Sequence, residues 1–139
     1  ALDWTTEALL AGDASEPLPA LRQWSEHAAS VEQRARALAA SLAERVASAG
    51  WQIDVIESRA PIGGGSLPGV ALPSWVVAIR ATKSTAGAEA FAARLRSSAV
   101  PVVARVAADA VLLDVRTLLD GDAAAIEAAV MNALQGESR

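Results

Sequence analysis

A stretch rich in glycine and proline, Arg59 to Ser74, constrains the fold of this chain more than any other feature. It contains four glycines and three prolines in sixteen residues. Glycine loosens the backbone and each proline removes an N–H donor, so neither a helix nor a central strand is expected here. Three consecutive glycines also let another group approach the main chain closely. The sequence therefore predicts a loop of fixed shape that contacts something else.

Strand and helix patterns flank this stretch on both sides. Residues rich in β-branched side chains predict strands at 51–58, 75–79, 102–106 and 111–115, the last two joined by a tight turn at 107–110. Amphipathic patterns predict helices over 30–49, from 84 or 85 to 96, and from 120 or 122 onward. Ser30 and Gln33 have the spacing of a capping box, which predicts that the first of these helices starts there.

The order helix, strand, strand, helix, strand, strand, helix predicts an α+β fold. We expect a four-stranded, mostly antiparallel sheet with helices packed on it. A direct return after the first strand and a right-handed crossover after the second bring the glycine-rich stretch and the end of the fourth strand to one edge of the sheet. Arg80 is expected at the opposite edge.

Six residues at the first edge are the candidates for a functional face: Arg59, Gly63, Gly64, Gly65, Ser66 and Arg116. The residues alone leave other interpretations open. The stretch lacks the spacing of a phosphate-binding fingerprint and suits a purely structural loop equally well. Arg116 could instead be a strand-end arginine that pairs with Asp114 or with a C-terminal carbonyl.

Composition narrows the possible functions. The chain has 139 residues, a net charge of −4 and no cysteine, which argues against a nucleic-acid-binding surface and excludes disulfides. Eleven of the twelve basic residues are arginine, so any anion site is expected to use a planar guanidinium. We find no signal peptide or membrane span and expect a cytoplasmic protein without a membrane partner. The residues assemble no catalytic set and no metal site.

The first 29 residues differ in character from the rest. A helical pattern runs to Gly12, a polar connection follows, and Leu18 and Trp24 lie in a short apolar turn. The chain begins without methionine, inside a helical pattern. We therefore expect residues 1–29 to be a helical linker to a missing large domain and residues 30–139 to be the α+β domain. Residues 1–24 are expected to be poorly ordered or to drive self-association.

Four segments carry a resemblance to a known family. They are the run Ile62 to Trp75, the helical pattern Ala88 to Leu95, and the strand patterns Pro101 to Val106 and Val111 to Leu118. In this order they resemble the C-terminal part of bacterial selenocysteine synthase, the pyridoxal-phosphate-dependent L-seryl-tRNA(Sec) selenium transferase. The similarity runs from about residue 35 to 134 and fades upstream of Ser30.

The resemblance implies the small C-terminal domain of a fold-type I pyridoxal-phosphate enzyme. Such an enzyme converts seryl-tRNA(Sec) to selenocysteinyl-tRNA(Sec) with selenophosphate, and its large domain carries the lysine that binds the cofactor. The fragment alone is then expected to be inactive and to hold no pyridoxal phosphate. Other parts of the protein would bind the tRNA, and the complete protein is expected to be a homo-oligomer.

Two alternatives remain at this stage. The chain could be the small domain of a related pyridoxal-phosphate lyase or aldolase. It could also be a free-standing α+β binding module, which would lack a large apolar patch around Leu9 and Trp24.

Overall fold

The computed structural model describes residues 2–11, 18–62, 69–82 and 87–135, with side chains from residue 5 onward. The helices are α1 Leu2–Leu10, α2 Pro19–Ser25, α3 Ala28–Ser48, α4 Gly87–Arg96 and α5 Asp122–Gln135. The strands are β1 Trp51–Pro61, β2 Ala71–Ala81, β3 Arg105–Ala107 and β4 Ala110–Asp114. A single 3-10 turn, Val115–Thr117, follows β4.

The four strands form one sheet in the order β1-β2-β4-β3, and every neighbouring pair is antiparallel. The register places Val55 beside Val77 and Val77 beside Leu113, so the apolar side chains of three strands share one face. This arrangement confirms the predicted α+β fold.

Helices α3, α4 and α5 cover that face because each has an apolar stripe. The buried side chains follow helical spacing: Val31, Ala35, Leu38, Leu42 and Val46 on α3; Ala88, Phe91, Ala92 and Leu95 on α4; Ile126, Val130 and Leu134 on α5. Trp51 packs on Phe91 with ring centroids 4.7 Å apart. Gly50 ends α3 with a φ of 80°, the left-handed conformation that glycine tolerates best. Ala49, the last residue of the helix predicted over 30–49, is the C-cap residue and is exposed.

The predicted capping box at Ser30 is wrong. Helix α3 begins at Ala28, and its N-cap residue His27 makes no side-chain capping bond. The His27 carbonyl accepts hydrogen bonds from the N–H groups of Ser30 and Val31, at 3.0 and 3.2 Å. Ser30 thus lies inside the first turn, where its N–H already has a backbone partner.

Strand β2 begins earlier than predicted and contains Pro73. It pairs with β1 from Ala71 onward, but β4 reaches only as far as Val76. Pro73 therefore lies where β2 has a neighbour on one side alone, and a missing N–H is tolerated at such an edge position. The segment between the strands, 62–70, is called the glycine loop below, and its residues 63–68 lie outside the described part of the chain.

The hairpin between β3 and β4 closes as predicted. Ala107 pairs with Ala110, and the two turn residues Ala108 and Asp109 have φ angles of 49° and 56°. Two consecutive positive φ angles are typical of a type I′ turn, whose twist matches that of the strands. Within the described residues, no helix is both long and apolar enough to cross a membrane.

Candidate functional site

The end of β1, the start of β2 and the end of β4 meet at one end of the sheet, which we call the site end. Ser58 pairs with Ser74, Arg59 pairs with Pro73, and Asp114 is the last β4 residue in register with β2. The N–H of Ile62 donates to the Val70 carbonyl at 3.2 Å and closes the base of the glycine loop. Arg80 pairs with Gln52 and Ala110 and lies at the opposite end, as expected.

Two of the six predicted site residues are described, and both belong to the site end. The other four, Gly63, Gly64, Gly65 and Ser66, lie outside the described residues. Arg59 is exposed, and its Nη2 donates to the Ala71 carbonyl at 2.7 Å. This arginine therefore spans the two strands at the mouth of the glycine loop. An exposed guanidinium can bind a phosphate or carboxylate through two parallel hydrogen bonds.

Arg116 has a very different environment because it is only 4% exposed. Its Nε and Nη2 donate to the Pro73 carbonyl, at 3.1 and 2.5 Å. Its Nη1 donates to the carbonyls of Gln23 and Glu26, at 2.6 and 3.0 Å. These last two carbonyls close the C-terminal end of α2, where a cation interacts favourably with the helix dipole. The guanidinium thus uses four of its five N–H donors on backbone carbonyls.

Beside Arg116 lies a short polar network that links β2 to β4. Ser74 is fully buried, and its Oγ donates to Oδ1 of Asp114 at 2.6 Å. The same oxygen accepts the backbone N–H of Arg116 at 3.2 Å. Asp114 thereby fixes the start of the 3-10 turn and the direction in which the Arg116 side chain leaves it.

Helix α2 is attached to the site end by polar contacts, since none of its residues is buried. Gln23 Nε2 donates to the Thr117 carbonyl at 3.1 Å, and Arg22 pairs with Asp120 at 2.6 Å. From α3, Arg34 donates to the Val115 carbonyl and lies 3.5 Å from the carboxylate of Glu26. The sequence patterns did not predict that α2 docks at the site end. The one related expectation was that Arg116 could pair with a C-terminal carbonyl.

Exposed apolar side chains are also concentrated at this end. Val70 precedes β2, Val103 precedes β3, and Leu119 follows the 3-10 turn, and all three are exposed. A groove of about 170 Å³ lies between the 100–103 segment and the start of α5. Trp24 on α2 and Leu9 on α1 are exposed as well. The predicted poor order or self-association of residues 1–24 stays a prediction.

The described residues do not form a pyridoxal-phosphate site by themselves. They contain no lysine, because the single lysine, Lys83, lies outside them. Arg116 has given most of its donors to carbonyls, which leaves Arg59 as the arginine at the site end with an exposed guanidinium. In the same part of the chain, no three acidic or histidine side chains group closely enough to hold a metal ion.

The chain is similar in sequence to known proteins of one family. The model of a family described as "L-seryl-tRNA selenium transferase" matches residues 1–119. An L-seryl-tRNA(Sec) selenium transferase of Hyphomonas neptunium is 40% identical over 112 residues, which cover 79% of this chain and 23% of the relative. The enzyme of the same name from Moorella thermoacetica is 41% identical over 85 residues, covering 61% of this chain and 18% of the relative.

These matches span less than a quarter of the length of either relative. The family model covers most of the chain and includes the glycine loop, Arg59 and Arg116. The family resemblance noted in the sequence is confirmed, but its extent differs, because the family match starts at residue 1, upstream of the predicted start near residue 35, and ends at residue 119. The chain belongs to the L-seryl-tRNA selenium transferase family, a family of selenocysteine synthases.

Proposed function

We propose that this chain is the small C-terminal domain of a pyridoxal-phosphate-dependent selenocysteine synthase. The complete enzyme would convert seryl-tRNA(Sec) to selenocysteinyl-tRNA(Sec) with selenophosphate as the selenium donor. The observation that carries the proposal is the family match over residues 1–119. Identities of about 40% to enzymes named for this reaction support it.

The site end is proposed to close over the cofactor cleft of a large domain that lies outside this chain. Arg59 and the glycine loop, with Gly63, Gly64, Gly65 and Ser66, would face the cleft. Arg116 would belong to the same end but act from behind the loop, because its guanidinium is buried against carbonyls. The exposed Val70, Val103 and Leu119 suit an interface that excludes water when the domain closes.

Cofactor attachment and most of the tRNA binding would belong to parts of the protein outside this chain. The lysine that binds pyridoxal phosphate would lie in the large domain, as the family resemblance implies, and not at Lys83, the single lysine of this chain. The tRNA would be bound mainly elsewhere, in keeping with the net charge of −4 here. Residues 1–29 would serve as the linker and 30–139 as the small domain of a cytoplasmic homo-oligomer.

The test is selenium transfer by the complete protein and by residues 1–139 alone. With seryl-tRNA(Sec) and selenophosphate, the complete protein is expected to form selenocysteinyl-tRNA(Sec), and residues 1–139 are expected to form none. Mass spectrometry after borohydride reduction should locate the cofactor on a lysine outside residues 1–139. A complete protein that binds the cofactor but acts only on a small amino acid or sugar acid would favour a related lyase or aldolase instead.

A further inference from the structure

We propose that Arg116 is a positioning residue that couples the docking of helix α2 to the start of β2. One buried guanidinium bonds to two elements that are distant in sequence. On one side are the carbonyls of Gln23 and Glu26 at the end of α2. On the other is the carbonyl of Pro73, close behind the glycine loop in β2.

The guanidinium is rigid and planar, so its partners cannot move independently. Nε and Nη2 both bond to Pro73, which fixes the plane of the group against β2. Nη1 then points in one direction, towards the end of α2. A shift of α2 must therefore either break charge-assisted hydrogen bonds or pull on Pro73. Strand β4 pairs with β2 only from Val76 onward, so no β4 residue holds Pro73 in place on that side.

The backbone of Arg116 is held as firmly as its side chain. Its N–H bonds to Asp114, which the buried Ser74 Oγ fixes in turn. Ser74 is the residue after Pro73, so both ends of Arg116 are attached to the same two residues of β2. Arg116 is therefore fixed to β2 through its backbone as well as its side chain.

Helix α2 is suited to a reversible attachment because polar contacts hold it. It has no buried residue, and its other bonds run to Thr117 and Asp120, on the segment that carries Arg116. Loosening α2 thus disturbs one connected set of contacts. If, as the proposed function has it, α2 leads to the large domain, the position of that domain would be transmitted to the start of β2 through Arg116.

Hydrogen–deuterium exchange on the 139-residue chain tests the coupling without tRNA or cofactor. In Arg116→Ala, amides of 18–26 and of 69–74 are expected to exchange about tenfold faster or more, because charge-assisted bonds are lost at both. Amides of 31–46 and 88–95 should keep their rates. The matched control is Arg105→Ala, which removes an exposed arginine on β3 and should change neither region.

Two results would overturn the proposal. Faster exchange in 18–26 alone would mean that Arg116 only holds α2. A uniform increase across the chain would mean that it contributes only to global stability.

A second variant keeps the test decisive if Arg116→Ala does not fold. Gln23→Ala keeps Arg116 and removes only the bond from Gln23 to Thr117. The coupling predicts faster exchange in 69–74, a region that the Gln23 side chain does not bond, and unchanged rates there would overturn it. The outcome is independent of the reaction that the complete protein performs, so a failed selenium-transfer assay and a failed coupling are distinguishable.

Discussion

At the scale of single residues, the site end is stabilised by polar groups that are buried and satisfied. A buried charge is costly unless hydrogen bonds replace its hydration, and Arg116 has carbonyl partners from two elements. Ser74 and Asp114 show the same principle with a neutral donor and a carboxylate. Each group has a partner that only the folded chain supplies, so local sequence could not reveal it.

The Ser74 contact leads to a prediction about stability. Ser74→Ala should lower the free energy of unfolding by about 1–3 kcal/mol, because Asp114 loses a donor in a partly buried site. Urea unfolding followed by tryptophan fluorescence measures this difference. The control is Ser58→Ala, because Ser58 pairs with Ser74 across the strands but is less buried. Equal losses in the two variants would contradict the importance of the Ser74–Asp114 bond.

At the scale of the elements, hydrophobic periodicity predicted what the chain forms but not where each element ends. The apolar stripes of α3, α4 and α5 repeat over several turns, so their faces were predictable. The start of α3 depends on the backbone of His27, and the length of β2 depends on how far β4 extends. Those limits are set by neighbours in space, which leave no periodic signal.

Substitutions in the turn between β3 and β4 are expected to raise the stability of the chain. Ala108 and Asp109 both hold positive φ angles, which are unfavourable for alanine and are adopted most easily by glycine, with asparagine and aspartate next. The double variant Ala108→Asn with Asp109→Gly supplies the preferred residues of a type I′ turn and should raise stability by about 1 kcal/mol. Thermal unfolding measures it, with Ala107→Asn in the adjacent strand as the control. No increase over that control would mean that the turn does not limit stability.

At the C-terminal end of α3, a substitution is expected to lower the stability of the chain. Gly50 has a φ of 80°, and an added Cβ would meet no atom within 4 Å. Gly50→Ala should therefore lower the free energy of unfolding by about 1–2 kcal/mol, through backbone strain alone and with no packing defect. Chemical denaturation gives the cost, and an unchanged m-value would show that the surface exposed on unfolding is unaltered. A stability equal to that of the parent chain would contradict a left-handed Gly50.

At the scale of the whole molecule, topology assembles the site end from segments far apart in sequence. The order of helices and strands was sufficient to predict that Arg59 and Arg116 belong to the same end of the sheet and Arg80 to the other. It was not sufficient to predict how α2 docks. Those contacts join residues 22–26 to residues 116–120 through carbonyls and single ion pairs, and neither has a compositional signature.

Whether the site end faces the cleft is tested by comparing the two ends of the sheet in the complete protein. Selenocysteinyl-tRNA(Sec) formation is measured for Arg59→Ala and for Arg80→Ala, an arginine with a loose 3.8 Å pair to Asp54. We expect Arg59→Ala to lower kcat/KM by roughly tenfold or more, the value of one charge-assisted contact, and Arg80→Ala to change it less than about twofold. Equal rates for both variants and the parent enzyme would contradict a cleft-facing site end.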